Sequence, residues 1–266
     1  MVASPLRWTD IPATRSAGSA SSLLYVHGFG CSRIVWNAVT DHLRDAYRHV
    51  LVDLPGHGLE ASNSYCRERH ATLSGMARAV EDMLAAASLD QPAVLVGHSI
   101  GCNLAWRVAL ARPDRVAKLV LINPSPCFMN LEGYSGGFGA SDLERLLDLM
   151  VHNPLAWSAS LADLVAGGKN PTSAWLAQSF CSVEPECLHA FARETFFVDD
   201  RDLLPRVQQP CLVLSSARDS LVPPAVHDFM VAALPRAVGE ILDITGHAAH
   251  LTHPTLVAES LRRFVA

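Results

Sequence analysis

The sequence lacks any apolar run long enough to cross a membrane. A membrane-spanning helix needs about 18 or more consecutive apolar residues, and no stretch of this 266-residue chain approaches that length. Residues 1–8 also lack the charged segment followed by an apolar segment that is typical of a secretory signal. We therefore expect a cytoplasmic protein that neither spans nor binds a membrane.

The sequence also lacks a surplus of positive charge. Its 21 lysines and arginines are outnumbered by 26 aspartates and glutamates, the formal net charge is −5, and no run of basic residues occurs. Nucleic acids and anionic membranes attract basic surfaces, so we expect neither as a partner. Hydrophobic residues make up 50% of the chain and charged residues 18%, which predicts a globular protein with a large core.

Paired cysteines are missing as well. The seven cysteines are odd in number, scattered along the chain and never spaced as Cys-x-x-Cys. This pattern indicates reduced thiols rather than a disulfide framework, and it does not favour a structural zinc site. We expect no metal and no cofactor.

What the sequence does contain is a short motif around Ser99. The apolar run 93–96 leads into Gly97-His98-Ser99-Ile100-Gly101, and helical spacing follows, so the local pattern predicts a strand, a sharp turn and a helix. A serine at the apex of such a turn presents its hydroxyl above the sheet, and flanking glycines let strand and helix approach closely. Ser99 is the candidate nucleophile. The alternative is a glycine-rich turn in which the serine only caps the helix.

Two further residues follow predicted strands. Asp219 comes just after the apolar run 210–216, and His247 comes just after the run 239–244. A serine needs a base to take its proton, and the imidazole needs an acceptor for its other nitrogen. We assign these roles to His247 and Asp219, because the order Ser, Asp, His is that of α/β-hydrolases.

Several neighbouring residues compete for these roles. His98 precedes the nucleophile, so its side chain is expected to point away from Ser99 and to serve a structural or pocket-edge role. Asp243 lies inside the strand before His247 and is badly placed to orient it. Asp53, with His57 close by, is interpreted as an acid that ties down a loop. The spacing of His247, His250 and His253 invites a metal interpretation, but no partner carboxylate or thiolate motif accompanies them.

A second loop near the start of the chain carries glycines. The apolar run 22–26 predicts a strand that ends in His27-Gly28-Phe29-Gly30, and such a loop can expose backbone N–H groups. With the amide that follows the nucleophile, it would form an oxyanion hole from the N–H groups of Phe29 and Ile100. The alternative is an ordinary glycine turn.

The order of predicted elements defines the architecture. Strands and helices alternate up to residue 123, which predicts a mostly parallel sheet with helices on both faces. Residues 124–203 lose the strand pattern and predict four helices, near 142–152, 154–166, 173–180 and 185–197. We therefore expect an α/β-hydrolase core over 1–123 and 204–266, with a four-helix lid inserted over 124–203.

With these motifs in view, the chain resembles the α/β-hydrolases over nearly its whole length. More narrowly, it is similar to the group that contains the bacterial stress-response regulator RsbQ and the plant strigolactone and karrikin receptors. The segments that carry this resemblance are 27–31 with 35–37, 97–101, 123–128, 136–138, 180–182 and 246–251. The lid segments Pro124-Ser125-Pro126-Cys127-Phe128 and Phe180-Cys181-Ser182 are its most selective parts.

The resemblance implies a lid over a mostly apolar pocket and slow hydrolysis of esters or lactones, in some members as a form of signal perception. The residues expected to line the pocket are Phe29, His98, Phe128, Trp157, Phe180, Phe197 and Leu221. For Phe180 and Phe197, ordinary lid core is the alternative. The loop 53–58 departs from the receptor version and looks like that of general esterases.

Two functional hypotheses follow. The first is a serine hydrolase that cleaves a small apolar carboxylic ester or lactone through Ser99, His247 and Asp219. The second is a ligand-sensing regulator that signals to a protein partner through its lid. Haloalkane and epoxide hydrolysis require an aspartate nucleophile where Ser99 stands, so this third class is excluded. The sequence does not define the oligomeric state.

Overall fold

A seven-stranded sheet organises the molecule. The computed structural model describes residues 7–14, 21–58 and 61–266, and within them the strands follow the spatial order β1-β3-β2-β4-β5-β6-β7. Only β1 runs antiparallel to its neighbour in this sheet, so the predicted mostly parallel α/β-hydrolase sheet is confirmed. The strands are β1 (Trp8–Ile11), β2 (Ser22–Val26), β3 (Arg48–Val52), β4 (Ala93–His98), β5 (Val116–Ile122), β6 (Cys211–Arg218) and β7 (Ala237–Thr245).

The apolar runs predicted these strands because the central ones are covered on both faces. Every residue of β2 and of β4 is buried, as is typical of strands inside a parallel sheet. Near the start of the chain the sequence predicts an edge strand over 6–11 and a turn at 16–21. The strand forms as β1, whereas Leu6 and most of the turn segment lie outside the described residues.

Helices connect the strands, and none in the described part of the chain has the length and apolar character to cross a bilayer. The sequence predicts one helix over 36–43. The structure corrects this, since a 3-10 turn (Arg33–Trp36) leads into a short helix that ends at Asp41. The α-helices are α1 (Asn37–Asp41), α2 (Ala61–Ser64), α3 (Arg67–His70), α4 (Leu73–Ala86), α5 (Ile100–Ala111), α6 (Ala140–His152), α7 (Pro154–Ala166), α8 (Pro171–Ser182), α9 (Pro185–Phe196), α10 (Pro224–Ala233), α11 (Ala249–Thr252) and α12 (Pro254–Val265).

Four consecutive helices, α6 to α9, lie between β5 and β6, where the sequence predicts the lid; we call them the lid helices. Asn153 and Glu184 cap α7 and α9 through side-chain acceptors, and a proline follows each cap, as expected for helix starts. The sequence also predicts Ser141 as the N-cap of the first lid helix. This is wrong, because α6 begins two residues earlier, with Gly139 in the capping position. The division into a core and a lid domain stays a prediction.

The lid helices and the segment just after them are bonded to the loop after β2 and to α4 and α5. Ser179 Oγ donates a hydrogen bond to the carbonyl oxygen of Gly30 (2.7 Å), and the N–H of Leu73 donates to Glu194 Oε2 (2.8 Å). The buried carboxylate of Asp200 accepts hydrogen bonds from Trp106 and Arg107 of α5. These contacts hold the lid helices over one edge of the sheet.

That edge is the carboxyl end of the parallel strands. Val26 pairs with Gly97, His98 pairs with Ile122, and Ile122 pairs with Leu214. Because neighbouring parallel strands end close to one another, the loops after β2, β4, β5 and β6 emerge side by side, where α/β folds bind ligands.

Candidate active site

Ser99 forms the turn between β4 and α5 in a strained backbone conformation. Its φ is 53° and its ψ is −126°, a region that non-glycine residues occupy at a cost and that is frequent at functional sites. Its side chain makes no capping hydrogen bond to α5, which argues against the alternative of a helix-capping serine. The Ser99 hydroxyl is therefore not used to cap the helix.

Both glycines of the motif are required by close backbone contacts. A Cβ atom at Gly97 would lie 2.7 Å from the amide nitrogen of Cys102, and one at Gly101 would lie 2.4 Å from the carbonyl oxygen of Val26. Main-chain atoms held in a sheet or helix cannot withdraw as a flexible side chain can. The glycines therefore bring α5 against β2 and fix the height of Ser99 above the sheet.

Asp219 and His247 lie together at the same edge. The Nδ1–H of His247 donates to Oδ2 of Asp219 at 2.7 Å, and both side chains are almost completely buried. Oδ1 of Asp219 accepts hydrogen bonds from the backbone N–H groups of Leu221 (2.8 Å) and Val222 (3.2 Å). Burial raises the pKa of Asp219, but His247 and these donors outweigh it and hold that pKa below its ordinary value, so the carboxylate is charged at neutral pH.

The other ring nitrogen of His247 is available. Nε2 is buried and has no hydrogen-bond partner among the residues that the structure describes, and His247 lines the same cavity as Ser99. Because Nδ1 carries the proton that Asp219 accepts, Nε2 is the atom that can take a proton from a nearby hydroxyl.

His98 holds the main chain of His247. Its Nε2–H donates to the carbonyl oxygen of His247 at 2.9 Å, while the backbone N–H of His247 donates to Val165 of α7 (2.8 Å). Burial lowers the pKa of His98 well below its ordinary value. A neutral His98 that faces a backbone carbonyl fits the expected structural role at the pocket edge.

The loop after β2 is shaped by a turn and by His27. The N–H of Cys31 donates to the carbonyl oxygen of Gly28 at 3.3 Å, and Gly30 has a φ of +69°. The Nδ1–H of His27 donates to Gly28, and its Nε2 accepts from the N–H of Leu54 (3.0 Å). Ile100 is the first residue of α5, so its N–H has no acceptor within the helix. Phe29 lies in this turn.

The residues that were rejected as catalytic groups lie elsewhere. Asp243 pairs with Arg218 at 2.7 Å and its side chain is 89% exposed, so it does not orient His247. Asp53 accepts a hydrogen bond from the backbone N–H of Arg33 (2.6 Å) and pairs with its guanidinium. No cluster of metal-ligating side chains occurs within ranges 7–14, 21–58 and 61–266.

A mostly apolar cavity opens at Ser99. It encloses about 430 Å³, its open mouth included. Five of the seven residues expected at the pocket line it together with Ser99 and His247. They are Phe29, His98, Phe128, Phe180 and Leu221.

The other two expected residues do not line this cavity. Trp157 is fully buried behind the lining, with its ring 6.1 Å from that of Phe29 and 5.9 Å from that of Phe180. Phe197 follows the end of α9, where its half-buried ring lies under the guanidinium of Arg193. The preceding residue, Phe196, lines the cavity instead, because one step along a helix turns a side chain by about 100°.

Sequence analysis missed five lining residues. They are Cys31, Leu161, Val165, Thr195 and Phe196. Leu161 and Val165 are four residues apart on α7, so the helical period could have placed them on one face. No local signal distinguishes Thr195 from other polar residues of the lid helices.

Comparisons with known proteins show the family to which the chain belongs. The sequence model of the alpha/beta hydrolase family matches residues 23–260. A probable esterase from Oryza sativa subsp. japonica is 32% identical over 253 residues, 93% of this chain and 92% of that protein. Karrikin insensitive 2 receptor CA from Petunia hybrida is 31% identical over 247 residues, 92% of this chain and 91% of that protein. The solved structure of a hydrolase from Oleispira antarctica has a TM-score of 0.92 at 32% identity and covers 98% of this chain and 94% of its own.

The chain belongs to the alpha/beta hydrolase family. Within it, the resemblance to the group of the karrikin and strigolactone receptors is confirmed. The expectation of a carboxylesterase or lactonase type of hydrolase is confirmed at the level of that class.

Proposed function

We propose that this hydrolase cleaves small, largely apolar carboxylic esters or lactones through a triad of Ser99, His247 and Asp219. The observation that carries the proposal is the position of His247. One ring nitrogen is bonded to a buried carboxylate at 2.7 Å, and the other is unpartnered within the described residues, in a cavity shared with Ser99.

Acylation begins when Oγ of Ser99 attacks the carbonyl carbon of the ester and its proton passes to Nε2 of His247. The N–H groups of Phe29 and Ile100 hold the negative charge that develops on the carbonyl oxygen, each worth about 3 kcal/mol. The bond to the alcohol oxygen then breaks, and the imidazolium returns its proton to the alcohol as it leaves. Asp219 stabilises the imidazolium and fixes its tautomer.

Deacylation repeats these steps with water. His247 takes a proton from a water molecule, the hydroxide attacks the acyl carbon, and the bond to Oγ breaks. The proton returns to Ser99 and the carboxylic acid is released. With a lactone, alcohol and acid are parts of one molecule, so the product is a hydroxy acid.

The lining of the cavity supports a small apolar substrate. Aromatic rings of Phe29, Phe128, Phe180 and Phe196 surround the space near Ser99, and burial of apolar substrate surface against such rings contributes about 25 cal/mol per Å². No lysine or arginine lines this cavity in the described part of the chain. A negatively charged group on the substrate would therefore lose its hydration in this cavity without gaining a compensating partner.

Hydrolysis of p-nitrophenyl acetate tests the proposal. We expect the Ser99→Ala variant to lose at least about a thousandfold in kcat/KM, because the nucleophile is gone. The matched control is Ser141→Ala, since Ser141 is exposed at the start of α6. A fluorophosphonate should label wild-type protein and the control, but not Ser99→Ala. Equal hydrolysis by all three proteins would end the proposal.

Ligand sensing through the lid is the second candidate. One of the similar proteins is named as a karrikin receptor, and in this chain Val165 of α7 accepts hydrogen bonds from the N–H groups of both His247 and Ala248. Movement of α7 would therefore act on the loop of the triad. Hydrogen exchange of the backbone amides of α6 to α9 in the Ser99→Ala variant tests this role. If the lid senses ligand, addition of a lactone should change the exchange rates. Unchanged exchange rates, together with rapid turnover of the lactone by wild type, would contradict a sensing role.

A further inference from the structure

Thr195 of α9 carries a buried hydroxyl that nothing in the described chain satisfies. The residue is 2% exposed, its Oγ1 has no hydrogen-bond partner among the described residues, and it lines the cavity that contains Ser99 and His247. An unpartnered buried hydroxyl is costly, and native structures contain few of them. Such a group in a ligand cavity requires an explanation.

The backbone of α9 does not provide an acceptor for the Thr195 hydroxyl. A threonine inside a helix commonly donates to a carbonyl three or four positions earlier. Three serines of the lid helices do so: Ser158 donates to Leu155 at 3.0 Å, Ser173 to Asn170 at 2.9 Å and Ser182 to Ser179 at 2.7 Å. Thr195 makes no such bond within the described residues.

The rest of the lining offers few polar groups. Apart from Thr195, the thiol of Cys31 and the residues of the candidate active site, the lining side chains are apolar: Phe29, Phe128, Leu161, Val165, Phe180, Phe196 and Leu221. His98 has an unpartnered Nδ1 within the described chain, but this atom is covered by the loop after β2, since a Cβ atom at Gly28 would lie 2.6 Å from it. Among the described residues, the hydroxyl of Thr195 is therefore the strong hydrogen-bond donor left for a substrate to bond away from the reacting carbonyl.

We propose that Thr195 determines specificity by donating a hydrogen bond to a second oxygen of the substrate, an ether, ring or keto oxygen separate from the ester that is cleaved. The proposal rests on the proposed ester hydrolysis at Ser99 and narrows its substrate class. A substrate that is apolar throughout leaves the hydroxyl unpaired, whereas one with a correctly placed oxygen satisfies it. Sites built to bond a polar group discriminate against analogues that lack it.

Two series of isosteric esters test the proposal. In the first, p-nitrophenyl hexanoate is compared with the three esters in which one methylene of the acyl chain, at position 3, 4 or 5, is replaced by an ether oxygen. In the second, hexyl acetate is compared with the corresponding ethers in the alcohol chain. The variants are Thr195→Val, which keeps the shape and removes the hydroxyl, and Thr195→Ser, which keeps the hydroxyl. Thr172→Val is the matched control, because Thr172 is partly buried at the start of α8 and does not line the cavity.

The measured quantity is kcat/KM for each ether relative to its all-carbon parent. We expect at least one ether for which this ratio falls about three- to tenfold in Thr195→Val, the range for loss of one hydrogen bond, and is retained in Thr195→Ser and in Thr172→Val. A ratio that is the same in wild type and Thr195→Val for every ether of both series overturns the proposal.

Stability and binding separate this proposal from the hydrolysis on which it rests. Because the hydroxyl is unpartnered in the described chain, Thr195→Val should keep or raise the thermal midpoint, and a lower midpoint would indicate a structural bond and contradict the proposal. Calorimetric binding of the same esters to Ser99→Ala, with and without Thr195→Val, repeats the comparison without chemistry. Esters that bind with the expected preference but are not hydrolysed by wild type would refute the proposed hydrolysis and retain the role of Thr195, whereas no preference in binding refutes that role.

Discussion

The side-chain amide of Asn123 donates a hydrogen bond of 2.6 Å to Oδ2 of Asp219, the same oxygen that accepts the Nδ1–H of His247. Asn123 follows β5 with a φ of +47°, a conformation that asparagine adopts more readily than most residues. The loop after β5 thus contributes a donor to the carboxylate that lies after β6. In the proposed mechanism Asn123 would be a positioning residue, since it contacts Asp219 rather than the substrate.

We predict that Asn123→Gly lowers kcat about tenfold and changes KM little. Glycine tolerates the backbone conformation, and loss of a hydrogen bond to a charged group costs about 1.5–3 kcal/mol. Part of this cost should raise the activation free energy, because a less firmly held Asp219 orients His247 less well. The measurement is steady-state kinetics with p-nitrophenyl acetate. Ser216→Ala is the control, because it removes the other acceptor of this amide, at 3.0 Å, and leaves Asp219 bonded. An equal fall of kcat in both variants would show that the effect comes from a disturbed loop and not from loss of the bond to Asp219.

Sequence reasoning could bring the three triad candidates to one edge of the sheet because each closely follows an apolar strand. Parallel strands end at one edge of the sheet, so Ser99, Asp219 and His247 had to emerge near one another once the strand order allowed it. The starts of α7 and α9 could also be predicted, since Asn153-Pro154 and Glu184-Pro185 each combine an N-cap with a proline in the first turn.

What sequence reasoning missed depends on how the lid helices are rotated against the sheet. Phe196 and Phe197 are chemically identical, and only the packing of α9 against Phe29 decides which ring lines the cavity. The bond of Asn123 to Asp219 had no local signal either, because Asp219 lies 96 residues further along the chain. Contacts between distant segments are set by tertiary packing, which no local pattern reports.

Paired variants can test whether Phe196, rather than the expected Phe197, lines the pocket. The ring of Phe196 lies 5.8 Å from that of Phe29 and 6.0 Å from that of Phe128, so Phe196→Leu should enlarge the cavity. We expect its preference for p-nitrophenyl hexanoate over acetate to rise several-fold, within the range for one or two methylenes in an apolar pocket. Phe197→Leu should leave the preference as in wild type. The same shift in both variants would contradict the assignment.

The close backbone contacts of Gly101, next to the turn that holds Ser99, predict that Gly101→Ala lowers both stability and activity. The new methyl group would lie 2.4 Å from the carbonyl oxygen of Val26 and 2.6 Å from that of His27. Relief requires α5 to move, at a cost of about 1–3 kcal/mol of unfolding free energy, and a shift of Ser99 by about 1 Å can cost a hundredfold in rate.

Urea unfolding and ester hydrolysis measure these two effects. Gly139→Ala is the control, because its nearest neighbour would be the flexible carboxylate of Asp142, at 3.0 Å. Wild-type activity in Gly101→Ala would refute the close approach of α5 and β2.

Buried neutral histidines predict that acid destabilises the protein well above the range in which carboxylates titrate. Burial lowers the pKa of His27 to about 4 and the pKa values of His57 and His250 to about 3. Between the ordinary value near 6.5 and these lowered values, the unfolded chain binds more protons than the folded chain. The stabilisation is therefore present above about pH 6.5 and is lost as the pH falls toward 4, by up to about 1.4 kcal/mol per pH unit for each histidine.

Replacement of one buried histidine should reduce this slope. In His250→Leu, the free energy of unfolding measured with urea between pH 6.5 and 4 should fall less steeply, by up to about 1.4 kcal/mol per pH unit, because a group that titrates only in the unfolded chain has been removed. His152→Gln is the control, since His152 is exposed on α6 and its replacement should leave the slope unchanged. If His250→Leu kept the wild-type slope while folding to the same structure, His250 would not be held neutral by burial, and the acid sensitivity would have to come from the other histidines.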